Sequence, residues 1–260
     1  MSPRNPEDIR QVPTDVGPIW IDRWDQGLGK TLSRRAQYEP DFTAWARRVL
    51  RSGMAVVDIG ANIGYYTVLF ARQVAPGRVL AFEPDPFNRE LLERNLRDNG
   101  VQAQLSDAAV TDDSGAIRFY LDRNFRGLHS LSRQNRRSDL DDDYIDVPAV
   151  TLDEALAQAG WSGADLIKID AQGAEGRILR GAAGTLGVDR PVFIMLELWP
   201  RGLANCGSSV DEVIRILDGW RFQPARVKQG ELLPLGWGDV ERRAARLDGD
   251  QASLNIVCTK

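Results

Sequence analysis

The 260-residue chain carries 33 basic and 37 acidic side chains, a formal net charge of −4 at pH 7, and 43% hydrophobic residues, which suits one large α/β domain better than two. The acidic balance argues against nucleic acid as the main partner, and no apolar run approaches the roughly 20 residues that a membrane span requires. The polar start, Met1 to Asp8, lacks the pattern of a secretory leader, so a cytoplasmic address is expected.

In chain order, residues 1–30 read as an irregular lead-in with a short strand at Pro18–Ile21. Phe42, Trp45, Ala46 and Val49 recur at helical spacing, so a helix is predicted over 41–50. These first 50 residues form an N-terminal extension, and 51–260 form the main domain. Trp20, Trp24 and Trp45 are candidates for covering an intersubunit patch. The apolar run 54–58 predicts a strand, followed by a glycine loop and a helix over 65–74. A strand over 78–82, a helix over 86–99 and a strand over 101–105 continue the alternation. A further strand is expected over 117–121. The polar stretch inside 122–146, with Arg133, Arg136 and Arg137 ahead of Asp139, Asp141, Asp142 and Asp143, reads as a lid-like insertion. Beyond it come a helix from Thr151, a strand over 164–169, a helix over 174–183, a strand over 192–196, a helix over 210–217 and a closing strand over 254–258. This β-α-β-α-β order predicts an α/β doubly wound, mostly parallel sheet with helices on both faces.

Four stretches carry chemistry. Asp58-Ile59-Gly60-Ala61-Asn62-Ile63-Gly64-Tyr65 sits where a buried strand turns into a helix. Gly60 and Gly64 permit a tight turn and close backbone approach, but their spacing is not the GxGxxG that seats a pyrophosphate. A carboxylate at 58 would repel a pyrophosphate yet suit an ammonium, which favours S-adenosylmethionine over NAD. Glu83-Pro84 ends the next strand, about 20 residues on, where an acid can accept both ribose hydroxyls. Asp107 and Ala108 follow the third strand, where a polar group can meet the adenine amine and a small residue lets the ring approach. Asp170, Gln172 and Glu175 surround the tip of the fourth strand, and Glu197, a further rim acid, ends the fifth; Asp58, Glu83 and Asp170 should converge on the carboxyl rim of the sheet. Lys168, inside an apolar strand, is expected to be ion-paired. Cys206, Cys258 and His129, with no CxxC spacing, disfavour a zinc site and leave the thiols unpaired. No metal is assigned.

Together the stretches VVDIGANIGYY, AFEPDP, DAAV, VTLDEAL, DLIKIDAQGAEGRILRG and LNIVC resemble the FkbM family of class I methyltransferases. The resemblance implies a Rossmann-like seven-stranded sheet with one antiparallel strand, S-adenosylmethionine as methyl donor, and an oxygen acceptor on a sugar or another small metabolite. It departs from the family at Gln172, where KIDVEGAE would place a glutamate; an amide cannot act as a base but can orient a hydroxyl. Methyl transfer to an alcohol needs positioning and removal of a proton. His129, the one imidazole, and Asp170 are competing base candidates; His129, Gln172, Glu175 and Glu197 are candidates for acceptor binding. The alternatives are N-methylation, a non-catalytic cofactor-binding scaffold, and an NAD dehydrogenase.

Overall fold

The computed structural model describes residues 8–137, 143–247, 249 and 252–260. The lead-in is not irregular: β1 (Ile9–Thr14) and β2 (Gly17–Asp22) form an antiparallel hairpin, with α1 (Leu28–Arg35) and α2 (Pro40–Val49) behind it. Then follow β3 (Ala55–Ile59), α3 (Tyr65–Val74), β4 (Arg78–Phe82), α4 (Pro86–Asp98), β5 (Gln104–Ser106), β6 (Ala109–Val110) and β7 (Gly115–Tyr120). After the insertion come β8 (Tyr144–Val150), α5 (Leu152–Gln158), β9 (Leu166–Ile169), α6 (Glu175–Arg180), α7 (Ala183–Leu186), β10 (Phe193–Leu198) and α8 (Pro200–Asn205). The chain closes with α9 (Val210–Gly219), β11 (Gln223–Lys228), β12 (Glu231–Pro234), α10 (Trp237–Ala244) and β13 (Leu254–Thr259).

The main sheet has eight strands in the order β12-β11-β13-β10-β9-β3-β4-β5, not the seven expected. The extra one is β12, which folds back on β11 as an antiparallel edge hairpin; β13 is the expected antiparallel strand between β10 and β11. The strand expected over 117–121 lies instead in a separate three-stranded sheet, β6-β8-β7. The helix expected over 174–183 is broken at Gly181, where a Cβ would stand 2.3 Å from the Thr111 carbonyl. Asp139, Asp141 and Asp142 lie outside the described residues.

Alternation along β3 divides the core. Val57 and Ile59 pack with Leu80, Phe82, Ile167 and Leu196 on one face of the sheet. Val56 packs with Val68, Leu69 and Phe70 of α3 on the other, and that cluster also takes in Ile19, Ile21, Leu32 and Trp45. The segment before residue 51 is therefore built into the core. Trp45 is buried, Trp20 lies under the Arg94 guanidinium and donates to Asp98, and Trp24 of the three stays exposed, so two of the residues expected at an intersubunit patch have intramolecular roles. Among the described residues no helix is long and apolar enough to cross a membrane. Both cysteine thiols are free, with Cys258 buried.

Candidate active site

A cavity of about 380 Å³ opens over the carboxyl ends of β3, β4 and β9, within the size range of small-ligand sites. Of the residues singled out in the sequence, Gly60, Ala61, Asn62, Tyr65, Glu83, Pro84, Ala108, His129, Asp170, Gln172 and Glu197 line it. Asp58, Gly64, Asp107 and Glu175 do not.

The loop after β3 uses its own amides. Gly60 N and Ala61 N donate to Phe82 O at 3.1 and 3.0 Å, Asn62 N to Glu83 Oε2 at 2.8 Å, Ile63 N to Asn62 Oδ1 at 2.7 Å, and Gly64 N to Ala61 O at 2.9 Å. A pyrophosphate would need those donors; all are engaged inside the protein. The glycines serve packing. At Gly60, with φ +76°, a Cβ would lie 1.9 Å from Asp170 O, and at Gly64, with φ +89°, it would meet Leu92 Cδ1 at 2.3 Å. Glu83 lines the cavity and accepts from Asn62 N and, through Oε1, from Asp85 N at 2.9 Å. Burial, with the charge of Asp85 behind it, raises its pKa to about 8.

Asp58 corrects an expectation. It is fully buried, opposite Lys168 in the β3–β9 register, and faces that ammonium at 3.4 Å while accepting from Thr67 at 2.6 Å. It carries no surface toward the cavity, so the acid offered to a ligand there is Asp170, 3.5 Å from the same lysine. Lys168 also approaches Gly60 O at 3.3 Å. Burial works against its charge, but Asp170, Asp58 and Glu39 outweigh it and hold the ammonium well above its ordinary pKa.

Around Asp170 the wall is rich in carboxyl groups. The Gln172 amide donates to Asp170 Oδ1 at 2.8 Å and to Glu197 Oε2 at 3.0 Å, while Ser253 donates to Glu197 Oε1 at 2.6 Å. Burial first, then Asp170, pushes Glu197 well above the usual carboxylate range. Glu175 sits under the loop, accepting from Ala171 N at 3.0 Å and Gly173 N at 3.2 Å. It therefore shapes the loop instead of meeting an acceptor. Asp107 is exposed and off the cavity wall, whereas Ala108 is on it. Among the described residues no group of three or more His, Cys, Asp or Glu side chains is arranged to hold a metal ion.

His129 lines the cavity, but both ring nitrogens are engaged. Nδ1 accepts from Asp122 N at 2.9 Å, which fixes the proton on Nε2, and Nε2 then donates to Asp85 Oδ2 at 3.1 Å. An imidazole in that state has no lone pair for a substrate proton, so the base role expected for it is not supported. It belongs to a buried network instead. Arg126 pairs with Asp22 at 3.0 Å and Asp85 at 3.2 Å, its backbone amide donates to Asp25, and its guanidinium lies over the Phe87 ring. Burial would raise the Asp85 carboxyl, but the bond to His129 and the Arg126 charge hold it below its ordinary value.

Sequence reasoning missed the contribution of the first 50 residues. Gln26, Gly27, Leu28, Thr31 and Tyr38 form one wall. It also missed Tyr66, whose hydroxyl donates to Glu39 at 2.8 Å, and Arg126. Tyr66 follows the glycine loop and was within reach of the motif; Tyr38 sits between two helices with no spacing that marks it.

A family model described as the methyltransferase FkbM domain matches residues 58–224. The chain is 32% identical over 158 residues to 31-O-demethyl-FK506 methyltransferase FkbM of Streptomyces tacrolimicus, a match covering 51% of this chain and 60% of that protein. It is 29% identical over 149 residues to 2-O-methyltransferase NoeI of Sinorhizobium fredii, covering 53% of this chain and 61% of that protein. The chain thus spans about three fifths of the length of these curated relatives. Among solved structures, the M. jannaschii tRNA m1G37 methyltransferase superposes with a TM-score of 0.50 at 10% identity, covering 98% of this chain and 58% of that one, a likeness of fold alone.

Proposed function

Because the chain belongs to the FkbM family of S-adenosylmethionine-dependent methyltransferases, we propose that it methylates a hydroxyl of a sugar, a glycosylated natural product or a similar small metabolite. The observation that carries the reading is the cavity floor: a glycine loop whose amides are all internally bonded, beside the Glu83 carboxyl, to which we assign the ribose hydroxyls. That combination suits a nucleoside without phosphates. Bound there, S-adenosylmethionine would supply an electrophilic methyl group and depart as a thioether.

The protein's part is to place the acceptor and take its proton. Asp170 is the best base. It lines the cavity, the Lys168 ammonium stands 3.5 Å from Oδ2, and Gln172 fixes its orientation through Oδ1. As the acceptor oxygen bonds to the methyl carbon, its proton passes to the Asp170 carboxylate. Glu197, held high by burial, is suited to hydrogen-bonding a neighbouring acceptor group.

Transfer of label from methyl-labelled donor to a panel of hydroxylated and amino acceptors tests this reading. O-methylated product is expected, and Asp170→Asn should lower its rate roughly 100-fold or more while donor affinity changes little. Label appearing on nitrogen would replace the O-methyl reading, and binding without transfer to any acceptor would favour a scaffold.

A further inference from the structure

Tyr38, Tyr65 and Tyr66 meet on the cavity wall, with ring centroids 6.0 Å apart for Tyr38 and Tyr65, 6.3 Å for Tyr38 and Tyr66 and 5.5 Å for Tyr65 and Tyr66, each pair edge to face. Tyr38 lies outside the stretch matched by the family model. The same end of the cavity carries Asp170 and Glu197, and Glu39 stands behind Tyr66. Its buried ammonium, Lys168, is already shared between Asp58 and Asp170. That trio alone leaves one negative charge in excess, before Glu39 and Glu197 are considered. Burial, followed by the nearby charges of Glu39, Asp170 and Glu197, raises the Tyr38 phenol well above its ordinary pKa, so the ring stays neutral. A neutral π-face beside excess negative charge attracts cations and has no comparable attraction for a neutral thioether.

We propose that Tyr38 is a donor-selecting residue: with the neighbouring carboxylates it favours the positively charged sulfonium over the neutral product, whereas the Tyr66 ring already faces the Lys168 ammonium, 5.6 Å from its centroid. Such a preference helps the product leave once its charge is lost. The inference rests on the cavity holding a sulfonium nucleoside, which wild-type binding of S-adenosylhomocysteine tests separately.

Calorimetric titration of the full chain with S-adenosylhomocysteine and with sinefungin isolates the effect. The two share nucleoside and amino-acid ends and differ at the centre, a thioether in one and a protonated amine in the other. Wild type and Tyr38→Phe should both prefer sinefungin. Tyr38→Leu should lose roughly fivefold or more of its sinefungin affinity with little change for S-adenosylhomocysteine. Equal weakening of both ligands, or an unchanged preference, would overturn the proposal. Should the leucine variant not fold, Tyr38→Met, a flexible filler without a ring, carries the same expectation and the same refutation. No binding of S-adenosylhomocysteine to wild type would strike the cavity assignment itself.

Discussion

At Glu83 two effects oppose each other: burial and the Asp85 charge raise the carboxyl to about 8, while two backbone amides favour its ionised form. Ribose hydroxyls donating to it would add to the second effect, so ligand binding and deprotonation are coupled. With methylthioadenosine, which has the ribose but no titrating amino-acid end, affinity should rise by about tenfold per pH unit below that pKa and level off above it. Calorimetry across pH 6 to 9 reads this directly, and Glu83→Gln should flatten the curve. A flat curve in wild type would remove Glu83 from the ribose. The sign for the ligand-free fold is opposite. An acid raised from 4.5 to about 8 binds its proton more tightly when folded, so its contribution to stability is lost as pH climbs through that window. For His129 the bonds to Asp122 N and Asp85 predict a stability role: His129→Gln should cost about 1.5–3 kcal/mol in denaturant melts. The acidic limb of the pH–rate profile should remain, and its disappearance would return the base role to the imidazole.

Among the elements, the turn between β3 and α3 explains what the sequence could and could not reveal. Its existence was legible because a short apolar run ending in an acid, two glycines and a helical run occur in order. The reason for the glycines was not, since the contact that excludes a side chain at Gly60 comes from Asp170, far away in sequence. Both glycines sit at positive φ, but Gly60→Ala also forces a Cβ against a backbone carbonyl, whereas Gly64→Ala presses on the end of the Leu92 side chain. The first should lose on the order of 3 kcal/mol and most donor binding, the second distinctly less, as thermal melts and titrations of both variants would register. Equal losses would mean that the Asp170 tip is not the constraint. Asp58 shows the same limit from the other side. Spacing located an acid at the strand end, but pairing with Lys168 depends on the β3–β9 register, which no local pattern encodes.

Across the whole molecule, the parallel core and its ligand rim followed from periodicity, while the cavity's completion did not. The hairpin, α1 and Tyr38 close one side because they share the apolar cluster on the α3 face and because Asp22 and Asp25 meet Arg126 from a loop about 100 residues later. Long-range pairing of that kind leaves no periodic trace. The architecture that results is a cavity with an acidic, aromatic end, the Glu83 carboxyl on its wall and a loop without free amides for phosphate. Titration of the purified chain with S-adenosylhomocysteine and, in parallel, with NAD tests that description most directly. Saturable binding of the first and none of the second is predicted; heat from NAD alone, or from neither, would contradict it.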